Sequence, residues 1–365
     1  MKLSVGIVGW RGMVGSVLMN RMLHEKDFDH FNPVFFSSSM DGKLTPAELF
    51  SQPIYNSNDI LKLKQCDVIL TTQGSSFTEE ILPKLQSENW KGYWIDAASN
   101  LRMNTDSTLL LDPINNIEIK NAISSDKKIF VGANCTVSLM LMAIGALFKA
   151  GHVEWVSSMT YQAISGAGAA AMTELLSQFK YLSSDLDLSE AALTLEKNIK
   201  TKLFESSFPK DYTVEPLAAS LLPWIDVKMD SGQSKEEWKA MAEANKILNS
   251  TNQIPIDGTC VRVSSMRSHC QGLTIKLKKD IPVNEISELL KNDHQWVKYI
   301  QNEKEDTLKY LTPASISGTL DIGVGRVRKM NIGNEYLNVF TVGDQLLWGA
   351  AEPLRRFLRN FIIDS

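Results

Sequence analysis

The chain is poor in cysteine: four in 365 residues, Cys66, Cys135, Cys260 and Cys270. They are widely spaced and form no C-x-x-C pair, so neither a disulfide framework nor a zinc ribbon is indicated, and a reducing, cytoplasmic setting is expected. Charge of one sign is lacking as well, with 38 Lys+Arg against 42 Asp+Glu and a formal net charge of −4. That balance excludes a strongly basic nucleic-acid-binding chain. The longest apolar run, 137–148, contains Ser138 and Gly145 and falls short of the roughly 18 to 20 residues that a bilayer crossing needs. The first residues carry one lysine and a short apolar stretch that Arg11 interrupts, which is not a signal peptide. No repeat with a period of roughly 20 to 50 residues and no low-complexity tract is present, which removes solenoids and propellers.

What is present is an ordinary globular composition, 44% hydrophobic, with enough length for about two domains and a large core. Short β-rich apolar runs at 3–8, 33–36, 68–70, 93–96 and 129–131 alternate with helical periodicity such as 13–23. That alternation predicts βαβ units building a parallel sheet. After Cys135 the pattern changes to a long helix reaching about residue 150, a strand at 153–162, a small-residue stretch at 165–171, and polar helices and loops. The runs 259–264 and 272–277 alternate in the manner of a half-buried antiparallel sheet, so this second unit reads as α+β. Near the end, Leu354, Phe357, Leu358, Phe361 and Ile362 share one helical face behind Pro353, and the opposite face is basic. Docking on the protein's own core explains that stripe better than a membrane surface does.

Directly after the first strand stands Gly9-Trp10-Arg11-Gly12-Met13-Val14-Gly15, with helical periodicity following at once. Glycines there let the backbone turn tightly, approach a pyrophosphate and aim helix N-terminal amides at it. The spacing is G-x-x-G-x-x-G rather than G-x-G-x-x-G, and a plain strand-to-helix turn is the alternative. An NAD-binding unit would carry an acidic residue at the end of the second strand. Here Ser37, Ser38 and Ser39 follow Phe36, and Arg11 sits in the glycine turn, a set that suits a 2′-phosphate and favours NADP, with Asp41 close enough to leave NAD open.

Cys135 opens the longest apolar helix, where unpaired amides favour thiolate over thiol. It is either a nucleophile or a buried, inert thiol; Cys66 and Cys260 read as structural. Of five histidines, His24, His30 and His294 lie in polar, solvated helix ends or loops, and His152 begins a strand. His269 lies in a polar connection between two strands and is the candidate acid/base. With no second pair at ligand spacing, no metal site is expected.

The glycine turn, Ser99-Asn100-Leu101-Arg102-Met103, Gly132-Ala133-Asn134-Cys135-Thr136-Val137-Ser138, Tyr161-Gln162-Ala163-Ile164-Ser165-Gly166-Ala167-Gly168, Glu236-Glu237-Trp238-Lys239, Arg262 through His269, and Val342-Gly343-Asp344-Gln345-Leu346-Leu347-Trp348-Gly349 occur in this order from end to end. Together they resemble the aspartate-semialdehyde dehydrogenase family, in the form found in many Gram-negative bacteria. Ala133 departs from an expected glycine, and 182–211 carries no sharp motif.

The resemblance implies an α/β protein: a Rossmann-type NADP-binding domain, 1–133 completed by a C-terminal helix 352–365, and an α+β catalytic and dimerisation domain, 134–351, of the glyceraldehyde-3-phosphate dehydrogenase-like kind. It implies a cytoplasmic homodimer acting on aspartate semialdehyde and phosphate, in lysine, threonine and methionine biosynthesis, with no nucleic-acid or membrane partner. In its reaction Cys135 attacks the aldehyde, His269 handles the hemithioacetal proton, hydride passes to NADP, and phosphate resolves the thioester. Gln162 would position the intermediate, Arg262 clamp the α-carboxylate and Glu236 pair with the α-ammonium, while Arg102 and Lys239 hold phosphate. Gly9, Arg11, Gly12, Met13, Val14, Ser38, Ser39, Gln73, Ser165, Gly166 and Gln345 are implied at the cofactor. From spacing alone Glu236 and Lys239 equally suit a plain surface pair, and Glu237, or Glu243 with Lys246, could be mistaken for them. The competing functions are another phosphorylating, thioester-forming aldehyde dehydrogenase such as an N-acetylglutamyl-phosphate reductase, a Cys/His hydrolase, and a silent NADP-binding regulator.

Overall fold

The computed structural model describes residues 2–363. Seven strands form the first sheet: Ser4–Val8 (β1), Asn32–Ser37 (β2), Ile54–Asn56 (β3), Val68–Thr71 (β4), Tyr93–Asp96 (β5), Ser107–Leu110 (β6) and Ile129–Gly132 (β7). Their order is β3-β2-β1-β4-β5-β7-β6, and every pairing is parallel. The near-continuous burial of β1 and β4 is what helices on both faces of a parallel sheet produce. Successive residues point to opposite faces: Ile7, Phe35, Leu70 and Ile95 enter one apolar cluster, and Val8, Phe36, Ile69 and Trp94 enter the other.

The second sheet contains Val153–Gln162 (β8), Leu221–Leu222 (β9), Ile256–Val263 (β10), His269–Leu277 (β11), Val297–Tyr299 (β12), Ile322–Met330 (β13) and Gly333–Gly343 (β14). Its order is β12-β13-β14-β11-β8-β10-β9. The antiparallel expectation holds for β11, which pairs antiparallel with both β8 and β14. It holds only in part for β10, which pairs antiparallel with the short β9 but runs parallel to β8 with Arg262 opposite Gln162. One-sided burial produces the same alternation in either direction, so the pattern could not tell them apart. The helix Cys135–Lys149 is buried over nearly its whole length and forms the centre of the second core with β8, β11 and β14.

The end of the chain returns to the first unit. Leu354, Phe357, Leu358 and Phe361 join the cluster of Ile7 and Phe130, and the Phe357 ring stacks on Phe130 at 4.2 Å between centroids. The segment is a short α-helix, Glu352–Phe357, flanked by π-helical turns at Leu347–Ala351 and Leu358–Ile363; the last two residues of the expected helix lie outside the described residues. Its basic face is not a free surface. Arg355 pairs with Asp27 and Glu352, and Arg356 with Asp112. Among the described residues no helix is long and apolar enough to cross a membrane.

Candidate active site

In the first sheet the strand order reverses between β1 and β4, and ligands in such sheets sit beyond the carboxyl ends of strands at this point. The glycine turn after β1 lies there. Gly9 has φ +78°, and a Cβ on it would come within 2.6 Å of the Gln73 amide nitrogen that follows β4. A Cβ on Gly15 would meet the Gly9 carbonyl at 2.2 Å. The helix Met13–His24 starts at Gly12 with no side-chain cap, so its first amides are left for a ligand. Arg11 reaches across to Ser39, its Nη1 donating to Oγ at 3.1 Å. These residues fit the phosphates of a dinucleotide.

A cleft of about 520 Å³ opens beside the turn, between the two sheets. Its walls include Val14, Arg102, Cys135, Gln162, Ser165, Gly166, Glu236, Lys239, Arg262 and Gln345. Ten of the implied residues thus converge from distant stretches of sequence. Gln162 and Arg262 meet because the parallel β8–β10 register brings both strand ends to the same edge; an antiparallel β10 would have carried Arg262 to the far side. Gly9, Arg11, Gly12 and Met13 stay in the turn, and Ser38, Ser39 and Gln73 lie exposed at the ends of β2 and β4.

His269 does not line the cleft. It is the first residue of β11 and 1% exposed, not part of a solvated connection. Its Nδ1 accepts the Ala163 amide at 3.0 Å, which places the ring proton of the neutral imidazole on Nε2. That Nε2 is buried without a partner. It lies behind Gly166, where an added Cβ would touch Arg262 Nη1 at 2.9 Å and His269 Nε2 at 3.4 Å. The missing side chain of Gly166 is therefore the opening between His269 and the cleft. His294 is also not solvated: it is half-buried, with Nε2 2.9 Å from the Met142 carbonyl oxygen.

Around Cys135 the charges are interlocked. Glu236, 6% exposed, accepts from Lys239 Nζ at 3.0 Å and from Asn134 Nδ2 at 3.0 Å, with Gln162 Nε2 at 3.4 Å. Lys239 also donates to Asp226 at 2.8 Å. Burial works against its ammonium, but Glu236 and Asp226 outweigh it and hold its pKa above the ordinary lysine value. Arg102 donates to the Gly132 carbonyl at 2.8 Å and to Glu243 at 3.3 Å, and Arg262 to the Ala163 carbonyl at 2.9 Å.

The helix N-terminus does not by itself make Cys135 acidic. Burial and then Glu236 push its thiol up to about 12, against Arg102, Arg262 and Lys239, which pull it down. Cys66, Cys260 and Cys270 are raised as well, so acidity does not distinguish the four; position does, because Cys135 alone is half-buried on the cleft wall. Burial and then Arg262 lower the His269 imidazole to about 3.

Sequence reasoning missed three participants. Asn134 caps the helix that opens with Cys135, its Oδ1 accepting the Thr136 and Val137 amides at 2.9 and 3.2 Å, and an asparagine before an apolar helix is a readable capping signal. Asp226 enters from a loop in the left-handed region, φ +74°, with no sequence signature. Gly349 stands on the π-helical turn against Cys135. Among the described residues no group of three or more metal-ligating side chains is assembled.

Two family models match the chain: semialdehyde dehydrogenase, NAD binding domain, over residues 4–122, and semialdehyde dehydrogenase, dimerisation domain, over residues 144–348. Aspartate semialdehyde dehydrogenase from Francisella tularensis is 54% identical over 98% of both chains, with a TM-score of 0.96. Two more distant structures share the fold. Aspartate semialdehyde dehydrogenase II from Vibrio cholerae is 22% identical over 99% of this chain and 100% of its own, TM-score 0.80. The Candida albicans enzyme, crystallised with NADP, is 16% identical over 99% and 100%, TM-score 0.66. End-to-end similarity at this level, on a chain with the same two domains, makes it a member of the aspartate-semialdehyde dehydrogenase family.

Proposed function

We propose that this oxidoreductase interconverts L-4-aspartyl phosphate and L-aspartate 4-semialdehyde with NADP, through a thioester on Cys135, in lysine, threonine and methionine biosynthesis. One observation carries the reading: a single cleft-wall thiol is ringed by Arg102, Lys239 and Arg262, with the carboxylates of Glu236 and Asp226 and, behind Gly166, the imidazole of His269 alongside. Three cations suit a substrate that brings a phosphate and an α-carboxylate, and Glu236 suits its α-ammonium. A sugar phosphate offers no ammonium.

In the reducing direction Cys135 Sγ attacks the acyl-phosphate carbonyl, the bond to phosphate breaks and a thioester forms. The thiol is protonated near neutral pH, and its proton leaves with the departing phosphate; His269, lowered to about 3, is too weak a base to hold it. Arg102 and Lys239 receive that phosphate, whose oxygen replaces Asp226 on Lys239. A nicotinamide dinucleotide bound in the cleft would supply the hydride to the thioester carbon. His269 Nε2–H then faces the carbonyl oxygen as it becomes an oxyanion and donates a hydrogen bond to it, keeping its proton, with the Ala163 amide holding the ring in that tautomer. The oxyanion re-forms the carbonyl as the C–S bond breaks, the aldehyde leaves, and the Cys135 thiolate takes up a proton from water to return to the thiol.

The glycine turn, the first amides of Met13–His24, Ser165, Gly166 and Gln345 would hold the dinucleotide. The Arg11–Ser39 pair supports NADP over NAD, since a guanidinium and hydroxyls suit a 2′-phosphate. Residues 1–133 with 352–365 form the cofactor unit, and 134–351 the catalytic unit through which two cytoplasmic copies pair. The test is NADPH absorbance with purified protein, aspartate semialdehyde and phosphate, using NADP⁺ or NAD⁺. Signal with NADP⁺ that is lost in Cys135→Ala is expected; equal rates with NAD⁺ would reject the cofactor assignment, and turnover by Cys135→Ala the nucleophile.

A further inference from the structure

The helix Lys235–Ile247 carries two Glu-x-x-Lys pairs, Glu236/Lys239 and Glu243/Lys246, seven residues apart and so on neighbouring turns of the same side. The first pair is in the cleft. The second grips the segment that carries Arg102. Glu243, 1% exposed, accepts from Arg102 Nη1 at 3.3 Å through one oxygen and from the Asn134 backbone amide at 2.6 Å through the other. Lys246 Nζ donates to the Arg102 carbonyl at 2.7 Å, to the Asn104 carbonyl at 2.7 Å and to Ser107 Oγ at 3.1 Å. Arg102 is thus held at its guanidinium by one member of the pair and at its backbone by the other.

We propose that Glu243 and Lys246 are the positioning pair of the phosphate site, fixing Arg102 and, through Asn134, its spacing from Cys135. The proposal rests on the reading of Arg102 as a phosphate ligand. Neither residue lines the cleft, so both act through Arg102 rather than on substrate. An arginine has five donors, and Gly132, Ala97 and Glu243 occupy three of its nitrogens from the protein side. This fixes the plane of the guanidinium before phosphate arrives, which removes an ordering cost from binding. Asn134 sits between the two chemistries: its backbone amide is held by Glu243, its side chain caps the helix, and the next residue is the nucleophile.

The experiment measures KM for phosphate, for aspartate semialdehyde and for NADP⁺ in Glu243→Gln, Glu243→Asp, Arg102→Leu and the Arg102→Leu/Glu243→Gln double variant. Glu243→Gln should raise the phosphate KM about tenfold or more, the range for one charge-assisted hydrogen bond, and leave the other two constants within about twofold. Glu243→Asp, which keeps the charge, should recover part of the loss. In the Arg102→Leu background Glu243→Gln should add nothing further. Arg102→Leu with unchanged phosphate KM overturns the ligand reading; Arg102→Leu with a raised KM beside a Glu243→Gln with a normal or lowered one overturns the positioning role alone. A merely structural role would lower stability and kcat and leave the phosphate KM in place. If Glu243→Gln yields no folded protein, Lys246→Met at the half-buried end of the pair must show the same selective rise, and its absence rejects the proposal.

Discussion

Gly349 lies directly against Cys135: a Cβ at Gly349 would stand 2.6 Å from the Cys135 Cβ and 2.9 Å from its Cα. The π-helical turn Leu347–Ala351 can therefore rest on Cys135 only where it has no side chain, and π turns of this kind cluster at functional sites. Gly349→Ala should displace one or the other. We expect kcat to fall about tenfold or more from misplacement of the sulfur, with a stability loss of about 1–3 kcal/mol from overpacking. Steady-state kinetics and thermal unfolding read the two effects; a variant with wild-type kcat would mean that the contact does not set the position of Cys135.

The raised thiol gives a sign-specific prediction. Because burial and Glu236 push Cys135 up to about 12, its alkylation rate by iodoacetamide should climb about tenfold per pH unit between neutrality and mildly alkaline pH. Glu236→Gln removes the like charge, so the thiol should become more acidic and alkylation at fixed pH faster. Arg102→Leu removes an opposite charge and should slow it. A rate already level at neutral pH would identify a resting thiolate.

His269 links the site to stability. Its folded value, about 3, lies below its ordinary 6.5, so between these pH values the unfolded chain binds a proton that the folded one does not. Stability should fall as pH drops below about 6.5, by up to ~1.4 kcal/mol per pH unit from this group. His269→Gln should show a shallower decline. Urea unfolding at pH 7 and pH 5 compares them, and identical slopes would mean that His269 is not buried in the neutral form.

Much of this was legible in the sequence for physical reasons. The glycine turn must follow β1 and open a helix, and Gly9 and Gly15 sit where a Cβ has no room. Cys135 marks the start of an apolar helix, whereas the Asn134 cap before it was readable but missed. The limits are equally physical. Parallel and antiparallel half-buried strands alternate alike, so the β8–β10 register was hidden. A repeat of Glu-x-x-Lys at seven residues gave two equivalent candidates, and only the tertiary partners of Glu243 and Lys246 separate their roles from those of Glu236 and Lys239. The ion pairs on the basic face of the terminal helix were hidden because its partners Asp27 and Asp112 lie 328 and 244 residues away. His269 is a buried strand residue in a polar stretch of sequence because its neighbours Ser268 and Gln271 are also buried and bonded.

The measurement that bears most directly on the central claim is mass spectrometry of the intact protein and of its digested peptides after mixing the enzyme with aspartate semialdehyde and NADP⁺ without phosphate. With its resolving anion withheld, the protein should gain the mass of one aspartyl group on the peptide containing Cys135, alongside a stoichiometric burst of NADPH, and adding phosphate should discharge it. NADPH formation with no acyl-enzyme, or an adduct that persists in Cys135→Ala, would contradict the thioester mechanism.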